Sequence, residues 1–267
     1  MTEDIKKIKV LTQNMRCIDD GIDNTILKRS KRFINLISKY LPDIIGTQEI
    51  STPWYNELNK HLTNEYGIIG ISRLGYKEPI PMNSDESNLI LYKLSRFNVL
   101  EEKTFWLTDT MDVVSKYEES KYTRICTYAL LLDKITNKKI LVCNTHLAHE
   151  EEDVGRIKQV KVLINFFNEF IGNNPEISII LTGDFNTTSN SESYKLVNGL
   201  LKDSKNESID LSKVDYTYHE YGNEKIYKII DYCFYLNITP ISYYIINDDF
   251  NGYVSDHYGI LVEFINK

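Results

Sequence analysis

The sequence has few of the features that mark several common classes of protein. Its four cysteines, Cys17, Cys126, Cys143 and Cys233, lie far apart and form no CxxC pair. This spacing argues against a zinc site built from thiolates and favours reduced thiols in a cytoplasm. No run reaches 18 consecutive apolar residues, and the opening MTEDIKKIKVL does not resemble a secretory signal. We therefore expect a cytoplasmic protein without a membrane span or stable membrane association.

A basic excess is also missing. The chain has 38 acidic and 31 basic residues, which gives a formal net charge of −7 at pH 7. Such a chain lacks the broad positive field that dominates non-specific binding to nucleic acids. High-affinity, sequence-nonspecific DNA binding is therefore disfavoured, although a local basic patch could still hold a phosphate.

No linker rich in proline, glycine or serine divides the 267 residues. Large β-sandwich and α/β domains reach this length undivided, and the hydrophobic share of 42% and charged share of 26% are usual for a globular core. We therefore predict one catalytic domain spanning residues 1–267, with no obligate protein partner.

What the chain does have is a series of short apolar runs rich in Ile, Leu and Val, the pattern of buried strands. Runs that end in an acid, amide or histidine occupy 7–14, 42–49, 138–146, 176–186 and 225–231, and SDH at 255–257 precedes a last apolar run. Further strands are expected at 87–93, 96–107 and 124–133. Several of these strands follow one another through short turns, which favours mixed or antiparallel sheets.

Helices are predicted between some of these strands. Apolar residues recur at helical spacing over 24–41, before Pro42, and again from Val154 to Ile171, before Gly172 and Pro175. A weaker helix is predicted at 190–201. The expected fold class is α/β (α+β), with mixed sheets flanked by helices.

The polar ends of neighbouring strands would meet if the strands delivered them to one rim of a sheet. The residues concerned are Asn14, Glu49, Asn144, His146, Asp184, Asn186, Asp231, Asp256 and His257. Carboxylates packed together repel one another by about 1 to 4 kcal/mol per close pair, depending on the effective dielectric. A divalent cation would remove that repulsion, so the sequence predicts a metal site.

The ordered motifs N, QE, NTH, GDFN, ID and SDH, read from Asn14 to His257, resemble those of the endonuclease/exonuclease/phosphatase superfamily. The FWLTDT and NTHLAH segments are most similar to the small bacterial metal-dependent hydrolases of that superfamily. The resemblance implies a four-layer sandwich, with two sheets face to face and helices outside, and a phosphoesterase that depends on Mg²⁺ or Mn²⁺.

Chemistry and the resemblance together suggest a role for each residue of the hydrolytic centre. Glu49, with Asn14 nearby, is the expected metal ligand, because Mg²⁺ prefers hard oxygen ligands. Asp184 is the candidate base or water-orienting group, and Asn186 can hydrogen-bond to a phosphoryl oxygen without adding negative charge.

Two histidines and two further acids complete the predicted centre. His257 is expected to be a charged donor to the phosphate. The Asp231 carboxylate is expected to keep the His257 imidazole protonated. His146 is predicted to be a second donor. Asp256 is predicted to complete either a second metal position or a hydrogen-bond shell.

Predicted substrate contacts are Asn144, Arg124, Arg156 and Trp106. Either arginine could clamp a phosphate bidentately or form an ordinary ion pair. Trp106 could stack on a flat group or belong to the core at a strand end. For His149, in HLAHEEED, a capping or solvated position is favoured over a substrate contact.

The predicted function is metal-assisted attack of water on a phosphodiester or phosphomonoester. The expected substrate is a nucleotide, a nucleic-acid end or a small phosphorylated metabolite. One alternative is a phosphodiesterase that acts on a lipid or inositol-phosphate headgroup. Another is a non-catalytic binding protein on the same fold, which fits less well because Glu49, Asp184, Asn186 and His257 are all present.

Overall fold

Two mixed β-sheets form the centre of the computed structural model, which describes residues 6–81, 85–225 and 227–265. With strands numbered in chain order, the first sheet contains β1 (Lys7–Asn14), β2 (Ile44–Ile50), β3 (Tyr66–Ile69), β4 (Ser87–Lys93), β10 (Ile209–Asp210), β12 (Thr239–Ile246) and β13 (Gly259–Ile265). The second contains β5 (Phe97–Trp106), β6 (Ile125–Asp133), β7 (Lys138–His146), β8 (Ser178–Asp184), β9 (Lys202–Asp203) and β11 (Asp231–Leu236). The spatial orders are β10-β12-β13-β1-β2-β4-β3 and β5-β6-β7-β8-β11-β9.

Helices cover the outer faces of both sheets. They are α1 (Ile26–Tyr40), α2 (Thr52–Leu62), α3 (Val154–Asn173), α4 (Glu192–Leu200) and the short α5 (Ser204–Glu207). Thr25 caps the start of α1, where its side chain accepts from the backbone N–H of Lys28. Leu41 follows the last helical residue in the left-handed conformation, before Pro42. None of the described helices combines the length and apolar character needed to cross a membrane.

Alternation along the strands sends side chains into different hydrophobic layers. In β7, Ile140 and Val142 pack between the two sheets, whereas Leu141 and Cys143 pack against α3 and α4 on the outer face. Helices α1 and α2 cover the first sheet in the same way through residues such as Phe33. The result is the four-layer α/β sandwich that the resemblance implied.

Most predicted elements are confirmed, but the run 225–231 is not a strand as predicted. Residue 226 lies outside the described part of the chain, and 227–230 form an extended loop whose backbone bonds to Thr217 and Phe185. Asp231 therefore begins a strand instead of ending one. It still reaches the rim, because β11 runs antiparallel to β8 and pairs Asp231 with Asp184.

The pairing of neighbouring strands also places the other predicted polar residues at this rim. Strands β7 and β8 are parallel and end side by side, with His146 opposite Asp184. In the first sheet, β1 and β2 are also parallel and place Asn14 opposite Gln48. One rim of the sandwich therefore collects polar side chains from both sheets.

Candidate active site

A polar cleft of about 810 Å³ opens at this rim. The predicted residues in its wall are Glu49, Arg124, His146, Arg156, Asp184, Asn186, Asp256 and His257. Residues that the sequence had not assigned to the site include Arg16, Cys17, Arg73, Glu86, Tyr122, His149, Tyr218 and Lys228. Asn14 and Asp231 lie behind the wall and hydrogen-bond to residues in it.

Glu49 enters the cleft through a local departure from strand geometry. The pairing of β2 with β4 is irregular between Thr47 and Ile50, and Glu49 has a left-handed backbone with φ 59°. Its Oε1 accepts from Asn14 Nδ2 at 3.0 Å, and its Oε2 accepts from the backbone N–H of Cys17 at 3.0 Å. Burial opposes ionisation, but these two hydrogen bonds lower the pKa of Glu49 below its usual value. A charged, fixed carboxylate therefore faces the cleft.

Asn14 connects the two sheets through its amide. Its Nδ2 donates to Asp184 Oδ2 at 2.9 Å as well as to Glu49, while its Oδ1 accepts from the backbone N–H of Arg16 at 2.9 Å. The amide nitrogen, and not the oxygen, faces the two carboxylates. In this geometry the Asn14 amide positions Glu49 and Asp184, and its assignment as a metal ligand stays a prediction.

Asp184 occupies the centre of the site. Its Oδ1 accepts from the backbone N–H of Asn186 at 2.8 Å, and its Oδ2 lies 3.5 Å from His146 Nε2 and 3.9 Å from His257 Nε2. Burial and the nearby Asp231 carboxylate raise the pKa of Asp184 to about 7. A carboxyl group that titrates near neutral pH is well suited to exchange a proton with water.

His146 and Asn186 face each other beside this carboxylate. Asn186 Nδ2 lies 2.9 Å from His146 Nε2 and donates to the backbone carbonyl of Leu147 at 3.1 Å. Burial, followed by the nearby Arg124 and Arg73 guanidinium groups, lowers the pKa of His146 well below its usual value. His146 is therefore a neutral imidazole whose Nε2 faces Asp184.

His257, unlike His146, is protonated. Its Nδ1 lies 2.8 Å from Asp231 Oδ2, and both side chains are buried. Burial alone would lower the pKa of His257, but the Asp231 carboxylate, with smaller contributions from Asp256 and Asp184, raises it to about 10. The site therefore holds one neutral and one protonated histidine.

The raised pKa of His257 predicts a pH-dependent stability for the metal-free protein. Between the unfolded histidine value of about 6.5 and the folded value of about 10, the folded state keeps a proton that the unfolded state releases. The free energy of unfolding should therefore fall by a few kcal/mol as the pH rises through this interval. Urea unfolding in chelator from about pH 7.5 to about pH 9.5 measures this slope.

His257→Gln should flatten the slope, whereas His61→Gln on the surface of α2 should keep it, because His61 lies far from the cleft and pairs with Glu57 at 3.5 Å. An unchanged slope in His257→Gln would contradict the assignment of a protonated His257.

Asp256 joins a hydrogen-bond shell at the edge of the cleft. Its Oδ1 accepts from Ser255 Oγ at 3.0 Å, and its Oδ2 lies 3.7 Å from Arg16 Nε. Arg16 also pairs with Asp20 at 3.0 Å. Of the two roles predicted for Asp256, the geometry favours the hydrogen-bond shell.

Three predicted substrate contacts have structural roles in this fold. Asn144 is fully buried between the sheets, where its Nδ2 donates to the carbonyls of Thr47 and Leu89. Trp106 belongs to the core at the end of β5, which was the second of its two predicted roles, and donates through Nε1 to the carbonyl of Arg73. Arg156 lines the cleft, but its guanidinium is engaged by Asp153 at 2.8 Å and by backbone carbonyls of the loop before α3.

One end of the cleft is lined by a cluster of residues that were not predicted to belong to the site. Arg73 pairs with Glu86 at 3.0 Å and lies 4.5 Å from the ring centre of Tyr122, which stacks on His149 at 5.7 Å. His149 lines the cleft and is exposed, which agrees with the solvated position favoured for it. All four residues lie outside the strands, where periodicity gives no information about which loops meet.

Residues 11–257 match the model of the Endonuclease/Exonuclease/phosphatase family. The chain belongs to this family. Membership makes it a phosphoesterase-type hydrolase. A family protein from Bacteroides vulgatus has 27% sequence identity and a TM-score of 0.87, with 97% of this chain and 98% of that chain covered. The mannosyl-6-phosphatase of Bacteroides thetaiotaomicron has 25% identity and a TM-score of 0.86, with 97% and 99% covered.

A more distant structure shares the fold of this Endonuclease/Exonuclease/phosphatase family member. The catalytic domain of human nocturnin, solved with a bound sulfate, has 18% identity and a TM-score of 0.77, with 97% of this chain and 94% of that chain covered. A search of curated proteins gave no match.

Proposed function

We propose that this protein is a Mg²⁺- or Mn²⁺-dependent hydrolase of phosphoesters that acts on a small phosphorylated metabolite, a nucleotide or a nucleic-acid end. The observation that carries this proposal is the grouping of Asp184, Asn186 and the His257–Asp231 pair at one point of a polar cleft. This grouping supplies a base, neutral donors and a cationic donor around one position. Phosphoryl transfer needs these groups.

The donors present fit a hard divalent cation. One oxygen of Glu49, one oxygen of Asp184 and one nitrogen of His146 lie within 4.8 Å of one another. Carboxylate oxygens suit Mg²⁺ and Mn²⁺, and the described residues supply no thiolate cluster that would favour a softer metal. Glu49 would be the principal ligand. When bound, the cation would neutralise charge on the phosphoryl oxygens.

The side chains of this site account for the remaining chemistry. Asp184 accepts the proton of the attacking water or orients it, with its own position fixed by Asn14 and Asn186. The His257 imidazolium donates to a phosphoryl oxygen as negative charge develops. Asn186 Nδ2 donates to another in place of its contact with His146 Nε2. Asp231 keeps His257 oriented and protonated.

The cleft and the surface charge favour a small substrate. A volume of about 810 Å³ accommodates a sugar phosphate or a nucleotide, whereas the net charge of −7 gives little general attraction to a long nucleic acid. The likeness to a mannosyl-6-phosphatase supports the same choice. A panel of sugar phosphates, nucleotides, inositol phosphates and RNA and DNA oligomers, each assayed with Mg²⁺ or Mn²⁺, tests it.

Removal of metal should abolish hydrolysis. We expect chelator-treated protein to lose turnover on whichever ester the panel identifies, and added Mg²⁺ or Mn²⁺ to restore it. Glu49→Gln should raise the metal concentration for half-maximal activity by at least about 10-fold and lower turnover, because an amide is a weaker ligand than a carboxylate.

Glu102→Gln provides the control, since Glu102 is an exposed acid of β5. Full turnover in excess chelator would overturn the metal requirement. Wild-type metal affinity in Glu49→Gln would show that Glu49 is not a ligand.

A further inference from the structure

Arg124 is a buried cation without a carboxylate partner. Its exposed fraction is 6%, yet no acid of the described residues lies within ion-pair distance of it. Its terminal nitrogen lies 3.0 Å from His149 Nδ1, and its Nε is buried without a hydrogen-bond partner among the described residues. Because arginine stays protonated in proteins, a positive charge remains there that Glu86, Asp184 and Glu49 influence from a distance without pairing with it.

The other buried arginines show how unusual this is. Arg96 pairs with Asp43 and Asp133, Arg73 pairs with Glu86, and Arg156 pairs with Asp153. Arg29 donates to backbone carbonyls of the loop after β1. Burying a charge is costly unless the charge is paired and hydrogen-bonded. Within the described part of the chain Arg29 has no ion pair either, but its guanidinium is satisfied by those carbonyls. Of these arginines, only Arg124 has neither an ion pair nor a backbone acceptor among the described residues.

Arg124 lies beside the proposed reaction centre. It directly precedes β6, whose neighbour β7 ends at His146, and its charge contributes to the lowered pKa of His146. The end of the cleft around it is formed by Arg73, Glu86, Asn88, Thr123 and Ile125, and Arg73 is paired with Glu86 there. A group that reached Arg124 past His146 would therefore meet a closed wall in which the charge of Arg73 is already paired and that of Arg124 is not.

We propose that Arg124 is a specificity residue that binds the terminal phosphate of a phosphomonoester, and that this phosphate supplies the ion-pair partner that Arg124 lacks among the described residues. The inference rests on the proposed function and narrows its substrate class to monoesters. A monoester phosphate carries a charge of about −1.5 to −2 at pH 7 and three free oxygens. A guanidinium can bind two of those oxygens at once.

A phosphodiester is a poor match for the same position. It carries one negative charge and has a second ester group in place of one free oxygen. With the first group directed out of the cleft, the second would face the buried wall near Arg73 and Asn88 and leave Arg124 only partly neutralised. The wall therefore selects against diesters sterically, and the unpaired charge of Arg124 favours the more highly charged monoester.

The test compares one aryl ester of each class, 4-nitrophenyl phosphate and bis(4-nitrophenyl) phosphate, with Mg²⁺. The wild-type protein should prefer the monoester. Arg124→Gln should lower kcat/KM for the monoester by about 10²-fold or more but lower it for the diester by less than about 10-fold. The inhibition constant for inorganic phosphate should rise by at least about 10-fold. Arg124→Lys should give intermediate values of kcat/KM and of the inhibition constant, because lysine keeps the charge but lacks the paired N–H donors of the guanidinium.

Arg156→Gln is the matched control, because Arg156 is an equally buried arginine of the same cleft whose guanidinium is already paired. It should lower the melting temperature and leave the monoester-to-diester ratio unchanged. Equal losses on both esters in Arg124→Gln, or a wild-type preference for the diester, would overturn the proposal. If Arg124→Gln does not fold, unchanged phosphate inhibition in Arg124→Lys would overturn it.

Failure of the proposed function gives a different result. Neither ester would then be hydrolysed with either metal. Calorimetric titration of inorganic phosphate into the wild-type protein and Arg124→Lys would still decide whether Arg124 binds the anion, because that measurement does not need turnover.

Discussion

Asp184→Asn should reduce turnover by roughly 10³-fold or more, one of the two largest losses that we expect from a single substitution. The change removes the group that accepts or orients the proton of water. It also places an amide where Oδ2 accepts from Asn14 and Oδ1 accepts from the Asn186 N–H, so one of these donors would face another donor. The measurement is single-turnover hydrolysis at saturating metal.

Folding is a separate readout for this variant. The raised pKa of Asp184 shows that its charge is disfavoured by burial and by Asp231, so thermal unfolding of the metal-free variant should occur at or near the wild-type temperature. Asp203→Asn is the matched control, since Asp203 is also a buried acid of the second sheet but contacts Tyr194 at 2.9 Å, away from the cleft. It should cost stability and spare turnover, and near-normal activity in Asp184→Asn would exclude Asp184 as the base.

Substitutions of His257 and Asp231 should have non-additive effects on turnover. We expect His257→Ala to lose roughly 10²- to 10⁴-fold in turnover, since it removes a positioned, charged donor. Asp231→Asn should lose much of the same factor, because the 2.8 Å contact to Nδ1 both orients the imidazole and keeps it protonated. The double variant should be scarcely worse than His257→Ala, as is usual for groups that act together.

A double-mutant cycle on the best substrate measures this coupling. His61→Ala is the control, because the His61–Glu57 pair lies on the surface of α2 and its loss should leave turnover unchanged. Strictly multiplicative losses at His257 and Asp231 would show that the two residues act independently, and Asp231 would then be reassigned to a structural role.

Strand ends and motif order made much of the site predictable. The runs ending at Asn14, His146 and Asp184 are strands whose parallel or adjacent pairing brings their ends together, so a one-dimensional pattern was sufficient. Asp231 was placed correctly at the rim for a partly wrong reason. The sequence could not show that β11 begins there and runs antiparallel to β8.

Other features depended on information that periodicity does not contain. Helix α2 was missed because its buried residues are confined to Trp54, Leu58 and Leu62, a stripe too short to stand out. The orientation of the Asn14 amide depends on the backbone of Arg16. The difference between Arg156, which is paired, and Arg124, which is not, depends on loops that meet only in the folded chain.

The close approach of the two sheets at the rim has a further consequence. A Cβ on Gly46 would lie 2.2 Å from Thr182 Oγ1 and 2.9 Å from Asn144 Oδ1, so this glycine sets how near the first sheet can come to the second. Glu49 belongs to one sheet and Asp184 to the other, and Asn14 spans the gap between them. The separation of the reacting groups is thus a dimension of the whole sandwich, fixed by the thickness of its shared interior. Directed evolution of this scaffold could therefore tune or lose catalysis through core residues such as Val142 or Ile180, far from any atom that meets the substrate.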